Sequence, residues 1–187
     1  MKIKLFKFKS VKSTNDIALK LIKKKKLTTA IILSERQTRG RGTMGKKWIS
    51  KKGNLFFSIF FEINSKKINF NHYSILNAYL LKEIISKEVS KKIKIKWPND
   101  LLFNKKKICG ILQEVINHND KKFLIVGVGI NTNFNPQNTS FSSSSLKDIA
   151  NKNVDNIKVL NKIKNTYEKF LMRVKRYSYL ELKNIYK

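Results

Sequence analysis

The sequence predicts a single α+β domain, because helical and strand patterns alternate along one chain of ordinary domain length. Two runs, 54–63 and 123–133, are apolar at nearly every position, which is typical of strands buried on both faces. Elsewhere leucines and isoleucines recur every three or four residues, as on the buried side of a helix. Hydrophobic residues make up 41% of the chain, enough for one core, and no repeat or linker divides it.

Three segments have helical patterning. The first follows the Ser-Thr-Asn sequence at 13–15, any residue of which can cap it, and Asp16 suits the positive first turn. The second runs from Asn71, its predicted cap, to about residue 92. The last runs from about 155 to 177, with an apolar side of leucine, isoleucine and aromatic residues.

Further strands are predicted on both sides of the second helix. The segment 28–37 is rich in β-branched residues and ends at a glycine-rich loop. Apolar residues alternate with lysines over 93–97, and Asn104-Lys105 is predicted to close a hairpin into a strand at 107–115. The polar segment 135–145 is predicted to be a surface loop.

The chain is strongly basic, with 41 Lys and Arg against 12 Asp and Glu and a formal charge of +29. Such a charge is compatible with nucleic-acid binding through phosphate contacts. The lysines are spread along the whole chain, however, and no nucleic-acid-binding motif is recognisable. Their runs lie at 23–26, 51–52, 66–67, 91–96, 105–107 and 121–122. A general preference for lysine on solvated surfaces explains this spread better than a nucleic-acid-binding face does. The charge alone therefore does not indicate the function.

Cysteine usage and hydropathy indicate a cytoplasmic protein. No run approaches the ~18 apolar residues of a membrane span, and the start, MKIKLFKFKS, has no uninterrupted signal-peptide core. Cys109 is the only cysteine and cannot form an internal disulfide. It has no evident histidine partner, so we interpret it as a core residue and not a nucleophile. His72 and His118 lack further ligands at zinc-site spacing.

The stretch GRGTMGKKW at 40–48 holds three of the seven glycines of the chain directly after a predicted strand. Such a loop can turn backbone N–H groups toward an anion, and the guanidinium of Arg41 adds a planar donor. The loop lacks the Gly-Lys-Ser/Thr ending of a P-loop, and no helix follows it as in a dinucleotide fingerprint. Trp48 is either a lid over an aromatic ligand or the first core residue after the loop.

A second polar cluster lies at Asn99, Asp100 and Lys107. A carboxylate beside a polyphosphate commonly serves a magnesium ion, and a lysine neutralises phosphoryl charge. Ordinary explanations exist for each residue: Asn99-Asp100 is common turn chemistry, and 105–107 is one of several lysine runs.

Taken together, the motifs resemble the catalytic domain of the biotin–protein ligases. In order they are STN at 13–15, ERQTRGRGTMGKKW at 35–48, KWPNDLLFNKKKICGILQE at 96–114, GVGINTN at 127–133 and SLKDI at 145–149. Order and spacing match over about residues 10–150. The resemblance implies a mixed, mainly antiparallel β-sheet flanked by helices. It also implies an ATP-dependent ligase that activates biotin as biotinyl-5′-AMP, with Mg²⁺ accompanying ATP, and transfers it to a lysine of a biotin carboxyl carrier protein, such as that of acetyl-CoA carboxylase.

The resemblance further implies roles for individual residues. Lys107 would bridge the biotin carboxylate and the α-phosphate, and Arg41 would bind the carboxylate and phosphate. Asn99 and Asp100 would serve the ATP–magnesium side, without a tightly bound metal. The other residues expected to line the biotin and adenylate site are Ser13, Thr14, Asn15, Gln37, Gly40, Gly42, Thr43, Trp48, Gly110 and Asn131.

Three departures from longer members of that family are expected. Thr43 stands where many members carry a second arginine, so one contact to the adenylate is missing. Residues 1–187 are expected to form a catalytic domain alone, with neither an N-terminal winged helix nor a recognisable C-terminal β-barrel. We therefore expect no specific DNA and no membrane as partners, whereas a homodimer, known in some members, stays open. The alternatives are a lipoate or octanoate ligase or transferase of the same superfamily, or a basic nucleic-acid-binding protein.

Overall fold

A seven-stranded sheet forms the centre of the protein in a computed structural model, which describes residues 2–25, 27–64, 68–90, 92–136 and 141–186. The strands are β1 (Leu5–Phe8), β2 (Thr29–Ser34), β3 (Leu55–Ile63), β4 (Lys94–Lys96), β5 (Asp100–Phe103), β6 (Lys106–His118) and β7 (Lys121–Ile130). Their order across the sheet is β1-β2-β3-β7-β6-β5-β4. β1 and β2 are parallel and all other neighbours are antiparallel, which confirms the predicted mixed, mainly antiparallel sheet.

The helices cover both faces of this sheet. Within the described residues they are α1 (Thr14–Lys25), α2 (Phe70–Glu88), α3 (Leu146–Ala150), α4 (Asn156–Val174) and α5 (Tyr179–Tyr186). Apolar residues of α1 pack on one face against alternate residues of β2, β3 and β7. α2, α4 and α5 enclose a larger core on the other face. Phe60 points into the first of these cores and Phe61 into the second, as the two-residue period of a strand requires.

The larger core contains one buried polar chain that links helices to sheet. The hydroxyl of Tyr167 donates to Oδ1 of Asn77 at 2.8 Å, and Nδ2 of Asn77 donates to Oε1 of Gln113 at 2.7 Å. Burial raises the pKa of Tyr167, so the phenol remains a neutral donor. Because each buried group has a partner, the chain fixes α4 and α2 on β6 without an unsatisfied donor.

The hairpin predicted at Asn104-Lys105 is confirmed. Both residues have positive φ, 47° and 63°, which places the tight turn between β5 and β6. The strand starts one residue before the predicted position 107 and continues to His118, where Asn119 and Asp120 form a second turn of the same kind.

Helix boundaries were predicted less accurately. α2 is capped by Asn69, whose side chain accepts from the N–H of His72 at 2.9 Å, so the predicted cap Asn71 lies inside the helix. Asparagine is a good N-cap at either position, so the sequence alone could not show which of the two begins the helix. The last helix ends at Val174 and is followed by α5, which the pattern did not reveal.

The prediction of a polar surface loop at 135–145 is wrong at its end. Residues 137–140 lie outside the described part, but Ser143, Ser144 and Ser145 are buried. Ser145 accepts from the N–H of Asp148 and caps α3, and the Ser143 hydroxyl lies 2.9 Å from the carbonyl of Pro136. These hydrogen bonds allow small hydroxyl residues to be buried, which composition alone could not indicate.

Candidate active site

The predicted site residues converge on the α1 face of the sheet, where the start of α1, the glycine loop (residues 40–48) and strands β6 and β7 meet. Those that line this pocket are Ser13, Thr14, Asn15, Gln37, Arg41, Gly42, Thr43, Trp48, Asn99, Lys107 and Gly110. Gly40, Asp100 and Asn131 lie next to lining residues: Gly40 accepts from the N–H of Trp48, Asp100 pairs with Lys107, and Asn131 donates to the carbonyl of Lys107. Residues distant in sequence thus form one site.

Glycines form the floor of the pocket. Gly110 of β6 pairs with Gly129 of β7, and Gly127 lies two residues before Gly129 on the same face. A Cβ at Gly129 would stand 2.3 Å from the indole of Trp48, and one at Gly127 would stand 2.3 Å from Oδ1 of Asn15. The glycines are therefore required by close side-chain approach, as their position in a buried strand predicts.

Hydrogen bonds hold the start of α1 in place. The backbone N–H of Thr14 donates to Oε1 of Gln37 at 2.8 Å, and Nε2 of Gln37 donates to the Ser50 hydroxyl at 3.1 Å. The hydroxyl of Ser58 on β3 bonds to Oδ1 of Asn15. Ser58 was not predicted as a site residue. The sequence feature that could have indicated it is a single hydroxyl side chain within an apolar strand rich in phenylalanine.

Arg41 connects the glycine loop to the sheet and to α1. Its guanidinium bonds to both carboxylate oxygens of Glu114 at 3.1 Å and to Oδ1 of Asp16 at 2.9 Å. Nδ2 of Asn15 donates to the same Glu114 carboxylate at 2.6 Å. The Arg41 guanidinium, which was expected to bind the carboxylate and phosphate of the ligand, is thus paired with two acidic side chains of the protein. Its contact with a ligand anion stays a prediction. Glu114 itself was not predicted.

A β-bulge turns Lys107 toward the pocket. Leu101 pairs with Cys109 and Leu102 with Lys107, so Ile108 is an additional residue on β6. Ile108 and Cys109 both enter the large core, whereas Lys107 joins Gly110 in the pocket lining. Burial raises the pKa of the Cys109 thiol, which agrees with its prediction as a core residue.

The ammonium group of Lys107 has a specific environment. Its Nζ lies 2.7 Å from Oδ1 of Asp100, and each side chain of this pair is less than one-fifth exposed, at 16% and 17%. The rings of Trp48 and Phe141 lie 5.3 and 4.8 Å from Nζ. Neighbouring Lys106, by contrast, is exposed, so Lys107 is distinct within its lysine run. Aromatic walls and low exposure strengthen its electrostatic interactions.

Two further predicted residues have structural contacts of their own. Nδ2 of Asn99 donates to the hydroxyl of Thr43 at 3.3 Å, which ties the glycine loop to the turn before β5. Asn131 is buried and donates to the carbonyls of Lys107 and Ser144. Its hydrogen bond to Lys107 holds the backbone at the bulge, and its side chain does not line the pocket. The expected contact of Asn131 with an adenylate therefore stays a prediction.

Other classes of site are not found in the described part of the chain. It contains no group of three or more His, Cys, Asp or Glu side chains placed to hold a metal ion. Among the same residues, no helix is long and apolar enough to cross a membrane.

The fold and the pocket define the class of protein to which the chain belongs. Residues 7–131 match the model of the Biotin/lipoate A/B protein ligase family, and the chain is a member of that family. It is 31% identical to the biotin protein ligase from Aquifex aeolicus in complex with biotin and ATP. That similarity has a TM-score of 0.80 and covers 98% of this chain and 77% of the other.

Curated relatives give the same family. The chain is 34% identical over 123 residues to the bifunctional ligase/repressor BirA of Escherichia coli, and 32% identical over 142 residues to that of Bacillus spizizenii. These matches cover 65% and 75% of this chain. The chain spans only 38% and 43% of the length of the two relatives.

Gly129→Ala is expected to destabilise the protein by about 1–3 kcal/mol, because the new methyl group collides with the Trp48 indole against a fixed strand. Urea denaturation followed by circular dichroism measures the loss. The matched control is the same change in a Trp48→Ala background, where the methyl group has room and the additional loss should be smaller. Equal losses in both backgrounds would show that the glycine serves the strand and not the indole.

Proposed function

We propose that the protein is an ATP-dependent ligase that activates biotin as biotinyl-5′-AMP and transfers it to a lysine of a biotin carboxyl carrier protein. The observation that carries this proposal is the Lys107–Asp100 pair, turned by a bulge into a glycine-floored pocket beside the start of α1. Likeness to the Aquifex aeolicus ligase in complex with biotin and ATP, over nearly the whole chain, supports it.

Lys107 suits both proposed steps. In the first, a biotin carboxylate oxygen attacks the α-phosphorus of ATP, a mixed anhydride forms and pyrophosphate leaves. In the second, the amine of the carrier lysine attacks the anhydride carbonyl, loses a proton and releases AMP. Negative charge develops on phosphoryl oxygen and then on carbonyl oxygen, and an ammonium group fixed by Asp100 stabilises such charge without reorganisation. Mg²⁺ would accompany the phosphates, with Asn99 and Asp100 on that side.

The opposite end of the pocket suits the ring system of biotin. Ser13, Thr14, Asn15 and Gln37 supply hydroxyl and amide groups at the positive end of α1, where a carbonyl-bearing ring finds donors. The glycine loop reaches both groups of residues, through the Arg41–Asp16 pair at the start of α1 and through Trp48 beside Lys107. It would hold the reactive anhydride away from water while the carrier arrives.

The proposed carrier is the biotin carboxyl carrier protein of acetyl-CoA carboxylase, and the proposed location is the cytoplasm. One relative, 30% identical over 122 residues, is named biotin–[acetyl-CoA-carboxylase] ligase of Paracoccus denitrificans. The single buried cysteine is compatible with a reducing compartment.

A lipoate ligase is the second candidate, because the family is named for ligases of biotin and of lipoate. An archaeal lipoate protein ligase from Thermoplasma acidophilum shares the fold with a TM-score of 0.63 at 10% identity. The fold therefore does not separate the two. The Trp97-Pro98-Asn99-Asp100 turn followed by Lys107 favours biotin.

Thermal denaturation with added ligands tests the proposal. A ligand that binds only the folded state at one hundred times its Kd stabilises it by about 2.7 kcal/mol, so biotin should raise the melting temperature, and biotin with MgATP should raise it further. Lipoate and octanoate are the matched ligands, and pyrophosphate exchange reports the first step. Stabilisation by lipoate alone would favour the second candidate. Salt-dependent binding of random DNA without a biotin effect would favour a nucleic-acid-binding protein.

A further inference from the structure

Glu114 is an acidic residue beside the pocket and the last residue of the 96–114 motif, to which the resemblance gave no role. It lies on β6, four residues after Gly110 and therefore on the same face of the strand. Its carboxylate accepts from Nδ2 of Asn15 at 2.6 Å and from two nitrogens of Arg41, each at 3.1 Å. One carboxylate thus joins two elements that line the pocket, the start of α1 and the glycine loop.

The contact with Asn15 fixes which way its amide points. Because a carboxylate only accepts hydrogen bonds, Glu114 must face the NH₂ group of Asn15, and Oδ1 then receives the hydroxyl of Ser58. Asn15 is 3% exposed and packs against Gly127, so a reversed amide would find no better partners there. A carboxamide at position 114 would not impose this orientation.

The contact with Arg41 fixes the glycine loop. Backbone hydrogen bonds close the loop on itself: the N–H of Gly42 donates to the carbonyl of Lys46 at 2.7 Å, and that of Trp48 donates to Gly40 at 2.9 Å. The hydrogen bond between Asn99 and Thr43 reaches only the turn before β5, and these backbone bonds do not attach the loop to the sheet. The two parallel bonds from the Arg41 guanidinium to Glu114 do, with geometry that only a carboxylate matches.

We propose that Glu114 is a positioning residue of the ligase, which orients Asn15 and anchors the glycine loop through Arg41. This role adds a residue to the proposed function, and the expected effect of Glu114 on biotin binding rests on that function. The side chains of Glu114 and Arg41 are 30% and 45% exposed, so solvent screens their attraction. Loss of the pair should therefore alter pocket closure more than global stability.

Glu114→Gln tests the role, with Glu62→Gln as its matched control. Glu62 is also a strand glutamate in an ion pair, 2.9 Å from Nζ of Lys121, and it does not line the pocket. Glu114→Gln should raise the biotin Kd by calorimetry, and the KM for biotin in pyrophosphate exchange, about tenfold, as expected for loss of a charge-assisted hydrogen bond. Glu114→Asp should restore part of the affinity, and Glu62→Gln should match the wild type.

Limited trypsin digestion of the ligand-free protein provides a readout that does not depend on biotin. Lys46 and Lys47 are exposed in the glycine loop, and mass spectrometry quantifies cleavage after them. Glu114→Gln should speed this cleavage several-fold over the wild type and over Glu62→Gln.

The role would be overturned if Glu114→Gln had the same biotin affinity and the same cleavage rate as Glu62→Gln. A lower melting temperature of Glu114→Gln, with biotin affinity and cleavage rate unchanged, would overturn it as well. If the wild type bound no biotin while cleavage still responded to Glu114→Gln, the proposed function would fail, but the loop anchor would stand.

Discussion

Lys107→Ala is expected to slow formation of biotinyl-5′-AMP by about 10²–10³-fold, the usual effect of removing a fixed group that stabilises developing charge. The structural reason is the position of the ammonium group, which a bulge turns into the pocket and which Asp100 holds near two aromatic rings. Pyrophosphate exchange and single-turnover formation of the adenylate measure the first step directly. Their loss should exceed any change in the binding of biotin.

The neighbouring lysines provide matched controls. Lys106 is exposed, so Lys106→Ala should leave the rate within about twofold. Lys105 has a φ of 63°, and Lys105→Gly removes its charge without forcing alanine into the left-handed region. Comparable losses in all three variants would show that only the charge of the lysine run matters, and the proposed catalytic role would be wrong.

Lys107→Ala also leaves the carboxylate of Asp100 without its cation in a place where it is 17% exposed. Some loss of stability is therefore expected, and it must be separated from the loss of activity. The double variant Asp100→Asn/Lys107→Ala removes both charges and should recover the melting temperature without recovering the rate.

Arg41→Ala is expected to reduce the catalytic efficiency with biotin about tenfold to hundredfold, because oriented hydrogen bonds to a charged group contribute roughly 1.5–3 kcal/mol. The side chain bonds to Glu114 and Asp16 and thereby fixes the glycine loop. Arg39→Ala is the control: Arg39 is exposed just before the loop, and its removal should cost far less. Steady-state kinetics at varied biotin concentration measure both. A larger effect at Arg39 would mean that Arg39, and not Arg41, is the arginine on which the reaction depends.

The regular parts of the fold were predictable because local signals and tertiary structure agree there. β3 and β7 are buried on both faces, as their continuous apolar runs indicate, and the turn at Asn104-Lys105 has the expected left-handed residues. α5 was missed because its short, weakly patterned sequence depends on packing against α2, where the rings of Tyr179 and His72 stack.

The site was predictable where a motif carries it and not where tertiary contacts create it. The glycine loop and the turn before β5 were found as sequence patterns, and the pocket brings them together. Ser58 belongs to a strand whose sequence indicates only packing, and Glu114 ends the 96–114 motif without a role of its own, so only tertiary contacts single out these two residues. The direction of Lys107 depends on one additional residue, Ile108, which strict alternation cannot reveal.

The hairpin turns at Asn104-Lys105 and Asn119-Asp120 each place two residues at positive φ, but they differ in how well they tolerate a change in chain length. Beyond the first turn, each residue added or removed before Cys109 would exchange the inner and outer sides of β6 and place a lysine among apolar neighbours. The second turn joins the ends of β6 and β7 farthest from the pocket, and both residues of the turn are exposed. A peptide tag or a fused domain therefore belongs at Asn119-Asp120, and the spacing between β5 and Lys107 must be kept in any redesign.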